Sequence, residues 1–462
     1  MSPGAFDLGM RLAALTAARA VPATSTRRVH IHPDATLVAV RTMAGVDGSL
    51  FGVAVGRLGD AKAKVAVAAD PIINTEQARC FAEIGHLAGE HPHPSLVVSS
   101  KQACLELEWA AKRAEAVGGD EVMRGVDIVH FCIGREHIAG ADSLVIACDA
   151  LTTHFAWPGQ ELDSGDLARC VAWVDGESPD LLGERIGGVR TPVDLDSSKL
   201  AKLVKKHRDE RRKLPAGARD DTLHRQRPEI AVALGALLRD DWALLKRAGM
   251  VIEEMNRPAL PDAEKRCENE VAAWVRQGTS AEKGFRPNLR SSPRRAVTVL
   301  ERAEQSLQSY RAVVLRYDEL ERLRAADDGR VLLGQVAAVD GAEIVVTSSQ
   351  TILRIRAGDV LSPVDQSDIR LRVRELRESV GGRECVFESS SEDPVFTHGD
   401  EVCLLLASGG WGGGGKPWSW THPARGGVAP GPSKSGDVDA MVAAVERFRT
   451  KRSSDGDDVA ER

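Results

Sequence analysis

The chain has 462 residues, a formal net charge of −6 and 43% hydrophobic residues, enough for two to four ordinary domains at roughly 100–200 residues each. An overall acidic balance argues against a chain that binds nucleic acid along its whole surface, although a local basic patch still sets the field at a site. No apolar run reaches about 18 residues, which argues against a membrane-spanning helix.

The first element, within Met1 to Ala20, holds an apolar stretch from Leu12 to Ala18, flanked by Asp7, Arg11 and Arg19. Without a basic leader it reads as a short amphipathic helix, not a secretion signal. Residues 27–157 then alternate strand-like and helix-like patterns. Val29–Ile31, Leu37–Val40, Leu50–Val55 and Lys64–Ala68 are β-type runs, the last two separated by Gly56, Gly59 and Asp60. A helix is expected from Thr75 to Gly89, on the spacing of Cys80, Phe81, Ile84, Leu87 and Ala88. Leu96–Val98 reads as a central strand, 102–117 as a helix stopped by Gly118-Gly119, Ile128–Ile133 as a strand and Ser143–Phe155 as a closing helix.

Residues 158–228 read as a linker carrying the basic run Lys202, Lys205, Lys206, Arg208, Arg211, Arg212 and Lys213. The region 229–328 reads as helical, with helices expected at 228–256, 262–277 and 293–326. From 330 to 407 the period becomes two, with Asp340-Gly341 as a hairpin signal, and a small β-barrel is expected. Residues 408–462 are rich in Gly, Pro and Ser around Trp411, Trp418 and Trp420, and read as a disordered tail with a short helix at 438–449. The fold class expected is therefore multi-domain α/β: a mixed sheet with flanking helices, a helical centre, a small barrel and a tail.

The eight cysteines include no C-x-x-C pair. Buried thiols in a reducing, cytoplasmic setting are expected instead of a structural zinc site. His30-x-His32 and His91-x-His93 have metal-compatible spacing but no third partner nearby in sequence, so hydrogen-bonded histidines are the plainer reading. Gly409–Gly415 lacks the Lys-Ser/Thr ending of a phosphate loop, and no Gly-x-Ser-x-Gly elbow occurs.

Four short stretches carry a family resemblance. They are His32-Pro33-Asp34-Ala35-Thr36, Asn74-Thr75-Glu76, Val97-Val98-Ser99-Ser100 and Ile146-Ala147-Cys148-Asp149-Ala150-Leu151. In this order, on three strands, a helix, a strand, a helix, a strand and a helix, the first third resembles a ribonuclease H-like domain. The resemblance implies that Asp34, Glu76 and Asp149 are the catalytic carboxylates and hold Mg²⁺ or Mn²⁺ ions, since phosphodiester cleavage in that fold uses two divalent ions about 4 Å apart on hard oxygen ligands. Ser99 stands where the family carries an Asp, which weakens metal binding; Asp142 is a substitute by position, and Arg135-Glu136-His137 falls where the family has a His-bearing loop. Read without the resemblance, Asp34 is a turn residue, Glu76 a helix-dipole partner and Asp149 an exposed helix residue.

Three functions follow as expectations. One is a pseudo-nuclease that binds nucleic acid without cutting it. Another is an active metal-dependent nuclease on an RNA/DNA hybrid. The third is a protein-interaction scaffold, with a protein partner taken by the barrel or the Trp-containing tail, and no membrane role.

Overall fold

The computed structural model describes residues 5–406 except 43–48, 69–73, 91–92, 137, 139, 159–165, 178–201, 204, 207–208, 211–212, 214–227, 262, 283–292, 367, 380 and 391–395. The chain divides into two compact units, Met1–Thr279 with Tyr317–Arg324, and Ser280–Arg316 with Ala325–Arg462. Among the described residues, no helix is long and apolar enough to cross a membrane.

The first unit opens with α1 (Ala5–Ala17) and β1 (Val21–Pro22). Its centre is a five-stranded mixed sheet built from β2 (Thr36–Thr42), β3 (Leu50–Arg57), β4 (Lys64–Val67), β5 (Leu96–Val98) and β6 (Leu144–Ile146). The spatial order is β4-β3-β2-β5-β6. β2, β3 and β4 pair antiparallel, while β2, β5 and β6 run parallel, with Thr36, Leu96 and Leu144 level at their amino ends and Val38, Val98 and Ile146 level towards their carboxyl ends.

Both faces of this sheet are covered, so its strands are apolar through their middles and not alternately polar. Period-two geometry sends Leu37, Ala39, Ala54, Val97 and Val145 to one core, and Val38, Val40, Val53, Val55, Leu96, Val98 and Ile146 to the other. The second core is closed by α2 (Asn74–Ala88), α3 (Lys101–Ala114) and α4 (Asp120–Gly134). The Ser100 hydroxyl caps α3, accepting from the Ala103 N–H at 3.3 Å. α2 and α4 cross at Gly85 and Gly125: a Cβ on Gly125 would run into the Phe81 carbonyl, and one on Gly85 into the Glu121 carbonyl. The first core is closed by α5 (Ala147–His154), α6 (Leu167–Asp175) and α7 (Pro228–Glu253); β7 (Phe155–Ala156) pairs with β1.

α7 therefore belongs to the sheet, and the boundary expected at residue 157 does not separate it. Trp242, Leu245, Ala248 and Ile252 are buried in the sheet's first core, and Asp241 meets Arg41 of β2 in a buried two-pronged ion pair, one contact of which is 2.6 Å. Further along the same chain, α8 (Ala263–Glu282) brings Trp274 against Phe131, ring centroids 5.0 Å apart.

Several sequence expectations change. Ile128–Ile133 is helical because Val126, Val129 and Cys132 bury one face of α4, an instance of packing overriding β-propensity. Leu144–Ile146, expected in a helix, is the outer parallel strand, and the helix starts only at Ala147. Val29–Ile31 makes no strand: the Arg28 N–H donates to His154 Nε2 at 2.9 Å and the Ile31 N–H to Glu253 Oε1 at 2.7 Å, which uses donors a ladder would need. Within the expected linker, Asp166 caps α6 and left-handed Gly176 ends it. The expected 293–326 helix is two, α9 (Pro293–Tyr317) and α10 (Glu319–Asp327). Between them Asp318 receives N–H groups from Ser25 at 3.0 Å and Glu321 at 3.1 Å and the Arg28 guanidinium at 3.1 Å. Burial pushes the Asp318 carboxyl up, but the bond from Ser25, the Arg28 charge and the bonds from Glu321 and Thr26 outweigh it and hold it below the usual range.

The second unit contains a closed antiparallel six-stranded barrel, as the period-two pattern predicts. Its strands are β8 (Val331–Asp340), β9 (Glu343–Ser348), β10 (Val360–Pro363), β11 (Leu371–Ser379), β12 (Gly382–Ser389) and β13 (Glu401–Leu406), in the order β10-β11-β12-β9-β8-β13. Leu332, Val336, Ile344, Val346, Leu371, Val373, Phe387 and Leu404 fill it. Ile352-Leu353, expected as a strand, lies outside the ladder. Outside, Arg374 pairs with Glu343 at 3.2 Å and Glu388 at 3.3 Å across neighbouring strands. The expected tail, with its tryptophans and terminal helix, falls outside the described residues, as do Arg208, Arg211 and Arg212 of the basic run.

Candidate functional site

The parallel strands give the sheet two distinct edges, and the sequence-derived residues divide between them. At the carboxyl edge, Ser99 leaves β5 and Asp149 sits in the first turn of α5 after β6. The Cys148 N–H donates to the Ser99 carbonyl at 3.1 Å, which ties the two strand exits together. The Asp149 carboxylate lies 3.2 Å from Lys101 Nζ, both side chains being partly exposed. Glu76 is also at the carboxyl side, in the first turn of α2 after β4, but it is buried. Burial first, and then the neighbouring Glu76 charge, push the Cys80 thiol up to about 12.

Asp34 is not part of this group. It lies in the turn that enters β2, two residues before Thr36, which is level with the amino ends of β5 and β6. Its N–H donates to His32 Nδ1 at 3.2 Å, and its carboxylate is 3.8 Å from the same nitrogen. The three carboxylates expected as one metal-holding set thus occupy opposite edges of the sheet, and the carboxyl edge presents a lysine and a serine beside Asp149. The reason is strand register: Asp34 precedes a strand where Asp149 follows one.

The amino edge gathers another set. His93 precedes β5, Asp142 precedes β6, and Cys267 projects from α8; one ligand atom of each lies within 4.8 Å of the others. His93 Nε2 is 3.2 Å from the Ser143 hydroxyl. That hydroxyl donates to Glu270 Oε2 at 2.6 Å, and Glu270 is paired with the Arg135 guanidinium, whose Nε donates at 2.8 Å. The His32 ring meets His93 edge-on, centroids 6.3 Å apart. Of the residues weighed in sequence, His93, His32 and Asp142 were visible; Cys267 and Glu270, more than a hundred residues downstream, were not connected to them. His91 and His137 lie outside the described residues.

A third feature is a polar cleft lined by Asp7, Arg11, Arg28, Thr152, Glu321 and Arg324, among others. Two of its guanidinium groups are engaged by carboxylates, Arg28 by Asp318 and Glu321, and Arg324 by Asp7 at 2.8 Å and Glu321 at 2.7 Å. All eight cysteines are free thiols, six of them buried. No family model, curated protein or solved structure matches this chain.

Proposed function

We propose that the first unit is a ribonuclease H-like domain that binds nucleic acid and does not cut it. The observation that carries this reading is the ion pair of Lys101 with Asp149 beside Ser99 at the carboxyl edge. A catalytic edge of that family would need converging carboxylates to concentrate two divalent ions. Here one expected acid is a serine, one carboxylate is paired with an ammonium, and Asp34 lies at the other edge, so Mg²⁺ and Mn²⁺ have no assembled oxygen set. The strand–strand–strand–helix–strand order, followed by one more crossover, through α3 and α4, to the parallel strand β6, supports the fold part of the reading.

Binding rests on chemistry that the carboxyl edge retains. In open α/β sheets, ligands sit outside the carboxyl ends of the strands. Lys101 stands there in the first turn of α3, largely exposed. A phosphate would replace Asp149 as the partner of Lys101. The test is binding of a labelled RNA/DNA hybrid as a function of salt. Log affinity should fall with log salt, and Lys101→Ala should weaken binding and flatten the slope by about one. A salt-independent or absent interaction would remove this function.

A second reading, a protein-docking scaffold, is favoured by one observation. Leu8, Leu12 and Leu15 of α1 form a stripe at helical spacing, 54%, 64% and 60% exposed. Under this reading the hybrid does not bind, and substituting the stripe with Ser abolishes association with a protein partner.

A further inference from the structure

We propose that the amino edge of the sheet is a binding site for a zinc-class divalent ion, held by His93, Asp142 and Cys267. It lies at the opposite edge from the proposed nucleic-acid contact and stands or falls independently of it.

The donors come from three elements far apart in sequence, yet their ligand atoms lie within 4.8 Å of one another. Zinc bonds of about 2.0–2.3 Å place tetrahedral ligand atoms roughly 3.3–3.8 Å apart, so closing around an ion asks only for small side-chain movements. His93 and Asp142 are buried, and Cys267 is partly exposed, which leaves a route in from solvent. Asp142 Oδ1 is buried and makes no hydrogen bond among the described residues. A buried carboxylate oxygen in that condition is costly unless a cation or donor meets it.

The surroundings of His93 fix its chemistry. The Ser143 hydroxyl has one proton, and that proton goes to Glu270. The hydroxyl can then only accept from His93, so Nε2 carries the ring proton and Nδ1 carries the lone pair. Metal-bound histidines are oriented in this way, with the second ring nitrogen donating into a chain that ends on a carboxylate. Arg135 holds that carboxylate in place. His32 does not supply a fourth ligand in this arrangement, because its Nδ1 accepts from the Asp34 N–H and the other nitrogen then bears the proton. Three protein ligands leave one position of a tetrahedral ion for solvent or an exogenous ligand.

The donor set selects the ion. An imidazole and a thiolate suit zinc and its neighbours, whereas Mg²⁺ and Mn²⁺ prefer oxygen. Zinc binding would displace the thiol proton to solvent as the sulfur–metal bond forms.

The test uses full-length protein, stripped with chelator and titrated with Zn²⁺ by calorimetry and with Co²⁺ by absorption. One equivalent of Zn²⁺ is expected per chain, and bound Co²⁺ should show a thiolate-to-metal charge-transfer band. Cys267→Ser, which is nearly isosteric and partly exposed, should abolish that band and weaken Zn²⁺ binding by about 10- to 100-fold, while Cys403→Ser should change neither. Absence of binding by folded wild type, a cobalt spectrum lacking the thiolate band, or wild-type affinity in Cys267→Ser would each overturn the site.

Discussion

Mild acid should destabilise the first unit chiefly through one histidine. His154 ends α5 and is fully buried. Its Nδ1–H donates to the Ala150 carbonyl at 2.7 Å and its Nε2 accepts the Arg28 N–H at 2.9 Å, so both nitrogens are used and the ring must be neutral. Burial, reinforced by Arg28 and opposed by the Ala150 bond, takes it from 6.5 down to about 4. The folded value is depressed, so above pH 6.5 both states are neutral and the full stability is present. Between 6.5 and 4 the unfolded chain takes up a proton that the folded chain refuses, and stability falls. By pH 5 the loss relative to pH 7 is about 2 kcal/mol. His130, also held low by burial, adds to the fall in the same direction. The assay is urea unfolding at pH 7 and pH 5, comparing wild type with His154→Gln. The variant should lose about 2 kcal/mol less stability on acidification than wild type. An identical acid-induced loss in both proteins would show that His154 is not the source of the acid sensitivity.

Three further outcomes follow from the fold. Gly125→Ala should cost about 1–3 kcal/mol by forcing α2 and α4 apart, readable as a lowered midpoint in thermal unfolding of a protein with unchanged helix content. Asp241→Asn leaves the Arg41 guanidinium buried without a counter-charge and should cost about 3–5 kcal/mol, whereas replacing both Arg41 and Asp241 with apolar residues should cost much less; a double-mutant cycle by denaturant unfolding checks this. Ser99→Asp places a second carboxylate beside Asp149 at the carboxyl edge, and should make the melting temperature rise with added Mg²⁺, with no such rise expected in wild type.

What could be read in the sequence depended on how local its signal was. The barrel showed itself because its strands alternate, with Ile344 and Val346 inward and Glu343 outward, and because Asp340-Gly341 marks the hairpin between β8 and β9. The start of α2 at Asn74 and the stretch of α3 were legible for the same reason. The run around Ile128 was misleading, since its β-branched composition is shared by buried strands and buried helices, and only packing against α2 decides between them. The short β6 was hidden because three apolar residues running straight into a helix give no boundary of their own. Register is also invisible locally, which is why Asp34 could be grouped with Asp149 although the strands place them at opposite edges. The amino-edge cluster illustrates the same limit: His93 and Asp142 are near one another along the sheet, but Cys267 reaches them only through the docking of α8.

The role proposed for the carboxyl edge is to grip nucleic acid without cleaving it. Its most direct test is a single reaction in which folded, full-length protein is incubated with a labelled RNA/DNA hybrid in Mn²⁺ at low salt, then assayed for both retained complex and cut product. A shifted, intact hybrid whose retention weakens steeply with salt and with Lys101→Ala is the predicted result. Cutting that disappears in Asp149→Asn would contradict the claim and show an active nuclease.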